Sequence, residues 1–124
     1  MVLFTGAGLG SPEPTDIENT DCLVLIGSHL GENMHNLQVQ EFARAVERRV
    51  PIIVVDPRFS VAASKAKYWL PIKPGTDLAL LLAWCKLLVD EDRYDRRFVQ
   101  QHGHGFDKFV KALEGATPEW AAAE

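Results

Sequence analysis

Two short apolar runs constrain this chain more than anything else in it. Cys22-Leu-Val-Leu-Ile26 stops at Gly27, and Pro51-Ile-Ile-Val-Val55 stops at Asp56-Pro57. Neither run alternates apolar with polar, which is the pattern of strands covered on both faces, as in parallel sheets. Between them, from about Asn36 to Arg49, Leu37, Val39, Phe42, Ala43 and Val46 recur at helical spacing, and Pro51 forbids continuation. Strand, helix, strand in this order is a βαβ unit, whose crossover is right-handed almost without exception. The reading is therefore an α/β fold, a Rossmann-like parallel sheet with flanking helices.

The remaining segments extend that unit. A short helical piece near 61–67 leads to a third strand, Tyr68-Trp-Leu-Pro-Ile72, whose internal Pro71 suits a sheet edge or a strand end. Pro74-Gly75 turns the chain, and Thr76 is placed to cap a helix reaching about Asp90. That helix carries Leu78, Leu80, Leu81, Leu82, Trp84, Cys85, Leu87 and Leu88 on nearly every side, so it should be buried among several elements or face another domain. Two short amphipathic helices follow, one from about Tyr94 to His102 ending at Gly103, the other from Phe106 to Glu114 ending at Gly115. Thr117-Pro118 opens a last helix with a capping residue and a proline at its first position. Ahead of all this, Met1-Val-Leu-Phe-Thr5 reads as a strand remnant and the stretch from Gly6 to Pro14 as a loop with three glycines and two prolines. Residues 1–20 are thus a glycine- and proline-rich lead-in, and 21–124 the α/β domain.

Length and charge narrow the function classes. A chain of 124 residues is sized for one core. Its net charge of −4 and the lack of a basic stripe speak against nucleic acid as a partner. The acids Glu13, Asp16, Glu18 and Asp21 read as a solvated loop face. Cys22 and Cys85 both lie in apolar runs and read as small core hydrophobes, not as metal ligands or a disulfide. No apolar run approaches the roughly 18 residues needed to cross a bilayer, which argues against membrane insertion. The segment carries no targeting signal, so a soluble protein is expected, of no specified compartment.

The residues able to carry chemistry cluster at strand ends. In open parallel sheets, ligands bind beyond the carboxyl ends of the strands, where backbone N–H groups and helix N-termini favour phosphate. The first strand runs into Gly27-Ser28-His29-Leu-Gly31-Glu-Asn33, and the second into Asp56-Pro57-Arg58. Gly27 and Gly31 permit close approach of an anion, Ser28 supplies a hydroxyl, and His29 and Asn33 can donate; a tight turn with no ligand is the competing reading. Asp56 suits the hydroxyls of a ribose, and equally suits a structural role accepting backbone N–H groups around Pro57. Arg58 can meet phosphate or a base with its planar guanidinium, or form a surface ion pair. Asp77, after Pro74-Gly75-Thr76, is explained by the helix dipole alone. One carboxylate there could also accept from both N1–H and the exocyclic amine of guanine, which adenine cannot offer. Gly6-x-Gly8-x-Gly10 lacks the spacing of a dinucleotide fingerprint, no Walker lysine is present, and His102 and His104 have no partners for a tetrahedral metal site. No catalytic residue and no metal ligand is assigned.

Taken together, Asp21-Cys-Leu-Val-Leu-Ile-Gly-Ser28, Val54-Val-Asp-Pro-Arg58, Trp69-Leu-Pro-Ile-Lys-Pro-Gly-Thr-Asp-Leu-Ala-Leu80, Tyr94-Asp95 with Phe98-Val99, Gly105-Phe106 and Thr117-Pro-Glu-Trp120 resemble the molybdopterin oxidoreductase family. That group contains formate dehydrogenases and the nitrate, thiosulfate, polysulfide and dimethyl sulfoxide reductases, and the match runs from about Asp16 to the C-terminus. The resemblance implies an α/β domain, partial relative to a multidomain fold, that binds one of two molybdopterin guanine dinucleotides carrying molybdenum or tungsten. By motif, Gly27, Ser28 and His29 would approach the pyrophosphate, Asp56, Pro57 and Arg58 would line the nucleoside, and Gly75 and Asp77 would hold guanine. One departure is His29, where the family commonly has asparagine.

The same resemblance implies that the molybdenum ligand and the iron–sulfur cysteines belong to upstream parts of the enzyme, so this chain alone should be inactive. Its partners would be the remainder of the catalytic subunit and electron-transfer subunits, in two-electron chemistry of the kind used in anaerobic respiration. Two alternatives stand beside this reading. A cofactor-free structural module, like the relative within respiratory complex I, is opposed by retention of both Asp56-Pro-Arg58 and Gly75-Thr-Asp77. An independent NAD- or FAD-binding domain is opposed by the missing glycine fingerprint.

Overall fold

A computed structural model describes residues 15–28, 30–32 and 36–124, with 36 and 37 described by backbone only. The expected strand remnant at 1–5, the glycine-rich loop and His29 lie outside these residues. The chain divides into two compact units, Met1–Pro71 and Ile72–Glu124.

The first unit is built on three parallel strands in the order β1-β2-β3: β1 (Leu23–Ile26), β2 (Ile52–Val55) and β3 (Tyr68–Leu70). Leu23 stands opposite Ile52 and Ile26 opposite Val55, while Ile53 stands opposite Tyr68 and Val55 opposite Leu70. Helix α1 (Asn36–Glu47) makes the crossover between β1 and β2, as its spacing required. A 3-10 turn (Ala63–Lys65), shorter than the helical piece read at 61–67, separates β2 from β3. The third strand closes at Leu70, so Pro71 follows it rather than interrupting it.

Burial follows strand position. On the central strand, Ile52, Val54 and Val55 are all buried, each contributing about 1.5–3 kcal/mol of apolar transfer energy. Ile52 and Val54 pack with Leu23, Leu25, Leu30, Phe42, Ala45 and Ile17. The outer strand β1 departs from the two-faced burial expected of it: Leu23 and Leu25 are buried, but Val24 and Ile26 remain 42% and 40% exposed. Successive side chains point to opposite faces, and among the described residues only one face of β1 is covered. Cys22, read as a core residue from its apolar run, precedes the strand and is exposed. Cys85 is half-buried.

Helix α1 stops before the proline is reached. The Val50 N–H donates to the Ala45 carbonyl at 3.0 Å and the Arg49 N–H to Val46 at 3.0 Å, the paired bonds of a Schellman cap. Arg49 occupies the left-handed position with φ 59°, where glycine is the usual residue. Arg44 meets Glu18 at 2.6 Å with both side chains more than half exposed, a pair of small energetic worth.

The second unit is helical: α2 (Asp77–Asp90), α3 (Arg96–His102), α4 (Phe106–Ala112) and α5 (Pro118–Ala123). Its buried side chains are few and mostly small, Ala79, Ala83, Leu113 and Ala116. Helix α2 packs against α5, yet Leu78 is 68% exposed and Leu81, Leu87 and Leu88 also face out. Of the two outcomes expected for so apolar a helix, the described residues show the uncovered face.

Caps explain where the short helices begin. The Asp95 carboxylate accepts from the Phe98 N–H at 2.8 Å, and the Thr117 hydroxyl accepts from the Trp120 N–H at 3.1 Å, with Pro118 at the first helical position. Gly103 ends α3 without a left-handed turn; a Cβ there would lie 2.5 Å from the Val99 carbonyl oxygen, so close packing excludes a side chain. Tyr94 and Phe106 pack ring against ring at 5.1 Å beside the α3–α4 junction. No helix among the described residues is long and apolar enough to cross a membrane.

Candidate functional site

Because the three strands are parallel, their carboxyl ends share one edge. The Gly27 N–H donates to the Val55 carbonyl at 2.9 Å, and the Asp56 N–H to Leu70 at 3.2 Å. The ladder thus carries one residue past β1 and one past β2, which sets these two loops at a common level. Gly27 then turns with φ +57°, a conformation costing a side-chain-bearing residue about 1–2 kcal/mol. Ser28 follows, half-buried. Among the described residues a Cβ on Gly27 would meet nothing within 4 Å, and the positive φ by itself favours glycine there.

Asp56 is a buried acid, with a side chain only 6% exposed. Its Oδ1 accepts from the Arg58 N–H at 2.8 Å, an Asx-type turn that brings the chain round Pro57. The Arg58 guanidinium lies 3.9 Å from the same oxygen. The backbone carbonyl of Asp56 is occupied as well, accepting from the Trp69 indole at 2.8 Å. Trp69 in turn meets the exposed Phe59 edge to face at 4.9 Å. The structural role considered for Asp56 is met by one backbone N–H, that of Arg58, and the residue stands at the carboxyl edge of the sheet. Pro57 and Arg58 are exposed, and the Arg58 side chain reaches Glu32 with Nη2 to Oε2 at 3.3 Å.

Glu32 is the residue that sequence reasoning passed over. Its Oε1 accepts from the Val61 N–H at 3.1 Å while Oε2 meets Arg58, so one side chain joins the loop after β1 to the loop after β2. Gly31 beside it has φ +91°, and a Cβ there would lie 3.0 Å from Val61 Cγ1, so the two loops touch where a larger residue would part them. The available signal was an acid next to a loop glycine in a chain whose Arg58 needs a counter-charge.

In the second unit, Gly75 is exposed with φ +91°, and Asp77 opens α2. Thr76 does not cap that helix as expected. Its hydroxyl donates back to the Lys73 carbonyl at 2.8 Å, with φ −104° and ψ 10°, and its side chain makes no cap bond to the helix. The exposed Asp77 carboxylate lies in the first turn, where the helix dipole favours an anion. A cleft of about 220 Å³ adjoins this turn, lined by Gly75, Thr76, Leu78, Ala79, Trp120 and Glu124.

Of the eight residues singled out, the first unit holds Gly27, Ser28, Asp56, Pro57 and Arg58 on one sheet edge, and the second holds Gly75 and Asp77 on one helix start; His29 is outside the described residues. A parallel sheet with a glycine turn and a buried aspartate at its carboxyl edge defines the first unit as a Rossmann-like α/β fold. The chain belongs to the molybdopterin oxidoreductase family, whose model matches residues 3–112. It is 40% identical over 116 residues to the molybdopterin-containing subunit of thiosulfate reductase from Salmonella typhimurium, covering 94% of this chain and 15% of that protein. It is 37% identical to the alpha subunit of an F420-dependent formate dehydrogenase from Methanococcus maripaludis, covering 94% of this chain and 17% of that one. Among solved structures, acetylene hydratase from Pelobacter acetylenicus superposes with a TM-score of 0.81 at 30% identity, over 86% of this chain and 15% of its own. The chain thus spans about one-sixth of the length of these relatives.

Proposed function

We propose that this chain supplies surfaces that hold the guanine-nucleotide end of a molybdopterin guanine dinucleotide, one of two such groups bearing molybdenum or tungsten, within a larger oxidoreductase catalytic subunit. The observation that carries the reading is the carboxyl edge of β1 and β2. A glycine turn with positive φ, a buried aspartate and an arginine stand there at one level, in a chain of a family named for its molybdopterin. The fit is one of chemistry: backbone N–H groups of a glycine turn and a guanidinium suit phosphate, and the Asp56 carboxylate suits hydroxyls. In the second unit, the Asp77 carboxylate stands exposed at a helix start and suits the paired N–H donors of guanine.

When bound, the pterin–metal group supplies the two-electron chemistry. The work of this chain is binding and orientation: Gly27, Ser28 and His29 toward pyrophosphate, Asp56, Pro57 and Arg58 toward the nucleoside, Gly75 and Asp77 toward the base. Relatives similar across nearly the whole chain are named for substrates as different as thiosulfate and formate, which is what a segment that holds cofactor rather than substrate would show. The iron–sulfur cluster, the metal ligand and the contacts to electron-transfer subunits belong, on this reading, to the rest of the enzyme.

The test is calorimetric titration of the chain with GDP and ADP. GDP should bind more tightly, and Asp77→Asn should weaken GDP about ten-fold while leaving ADP nearly unchanged, since only guanine loses an acceptor matched to two donors. No GDP binding at millimolar concentration by a folded chain would remove the nucleotide reading. Equal losses for both nucleotides would remove the guanine assignment.

A further inference from the structure

The Glu32 side chain joins the loops that follow β1 and β2. Glu32 Oε1 accepts the Val61 N–H at 3.1 Å and Glu32 Oε2 meets Arg58 Nη2 at 3.3 Å. Arg58 is also held from behind, its backbone N–H on Asp56 Oδ1 at 2.8 Å and its Nε 3.9 Å from the same oxygen. Two carboxylates therefore fix a guanidinium whose side chain is 56% exposed. Ordering an exposed arginine side chain on ligand binding costs about 0.5–1.5 kcal/mol, or roughly two- to twelve-fold in affinity, and contacts that already hold it lessen that cost. Gly31 touching Val61 keeps the loops close enough for the bridge to form.

We propose that Glu32 is a positioning residue: it latches the loop after β2 to the loop after β1 and holds the Arg58 guanidinium oriented for the phosphate or nucleoside of the bound nucleotide. The inference rests on the nucleotide-binding reading above, but the latch has its own readout. The Trp69 indole N–H donates to the Asp56 carbonyl at the root of the same loop, so its exchange with solvent reports how firmly that loop is held.

The experiment follows the Trp69 indole resonance by NMR in the full chain, assigned with Trp69→Phe, while GDP is titrated. In Glu32→Ala both halves of the bridge are lost. The indole proton should then exchange about ten-fold faster, as for loss of a charge-assisted hydrogen bond, and GDP should bind about five-fold more weakly. Glu32→Gln keeps an oxygen for the Val61 N–H but drops the ionic hold on Arg58, so it should leave indole exchange near wild type while still weakening GDP. If Glu32 acts through Arg58, then Glu32→Gln adds nothing to Arg58→Ala in a double-mutant cycle. Unchanged GDP affinity in Glu32→Ala would overturn the positioning role. Tighter binding would overturn it too, because Glu32 would then be competing with the ligand for Arg58. Were the wild-type chain to bind no GDP, the nucleotide reading falls, and indole exchange alone decides the latch: an unchanged rate in Glu32→Ala overturns it.

Discussion

Asp56 offers the sharpest division between a structural and a ligand-binding acid, because the two roles use different parts of the group. The turn needs only an acceptor for the Arg58 N–H, at 2.8 Å from Oδ1. Asp56→Asn retains that acceptor and nearly the same volume, so it should cost about 1 kcal/mol, the difference between a charge-assisted and a neutral hydrogen bond. Asp56→Ala removes the acceptor and leaves a backbone N–H beside a buried site, which should cost about 2–3 kcal/mol. Urea unfolding followed at Trp69 would separate them, as a denaturant slope of about 1–3 kcal/mol per molar converts these losses into clearly different midpoints. Nucleotide binding is expected to order the variants differently. A ribose needs two good acceptors, and the amide of asparagine offers one acceptor and one donor. Asp56→Asn should therefore lose about ten-fold in GDP affinity despite its mild effect on folding. If the Asp56→Asn variant bound GDP like the wild type, the carboxylate would serve the turn alone. If the asparagine and alanine variants were equally destabilised, the reasoning about the turn itself would be wrong.

Two other perturbations probe the frame around the site. Arg49→Gly should raise stability by about 1 kcal/mol, because it relieves a left-handed residue at φ 59° while leaving the Schellman bonds to Ala45 and Val46 in place; an unchanged or lower midpoint in thermal unfolding would show that the Arg49 side chain contributes more than its backbone costs. At the other end of the chain, Glu119 has its pKa lowered, first by a hydrogen bond to its own backbone N–H and then by the Thr117 hydroxyl. A carboxylate depressed in the folded state contributes stability that is present above its unfolded value and lost as pH falls through the folded one. Helix α5 should therefore fray on acidification below the ordinary glutamate range, seen as broadening of the Trp120 amide, and Glu119→Gln should remove that dependence.

The fold was legible where periodicity and chain breakers agreed. The run from Ile52 to Val55 is β-branched, lies between Pro51 and Asp56-Pro57, and is the strand most fully buried. The α1 crossover followed from Phe42 and Val46 at helical spacing. What misled was reading environment from composition. Cys22 and Val24 belong to the same apolar run as Leu23 and Leu25, yet they are exposed, because a run of four or five residues does not say which face of an outer strand is covered. The leucines of α2 posed the same problem on a larger scale. Their number announced a helix made for apolar surroundings, and no property of the helix itself says whether those surroundings lie within these residues. Thr76 failed for a local reason: a hydroxyl two residues after a proline can turn back to the Lys73 carbonyl as readily as forward to the helix.

The site was legible as positions and not as partnerships. That Gly27, Asp56 and Arg58 share an edge follows from parallel strands, since every strand in such a sheet delivers its next loop to the same side. That Asp56 would be spent on the Arg58 N–H, and Arg58 on Glu32, depends on distances no spacing rule supplies. A carboxylate bonded within its own turn is not thereby unavailable, because each oxygen carries two lone-pair directions and the internal bond removes the freedom that a ligand would otherwise have to remove. If the proposed nucleotide site is right, Asp56 held by its turn, and Arg58 held by Asp56 and Glu32, would for that reason meet the ligand at a lower ordering cost than the same residues left loose.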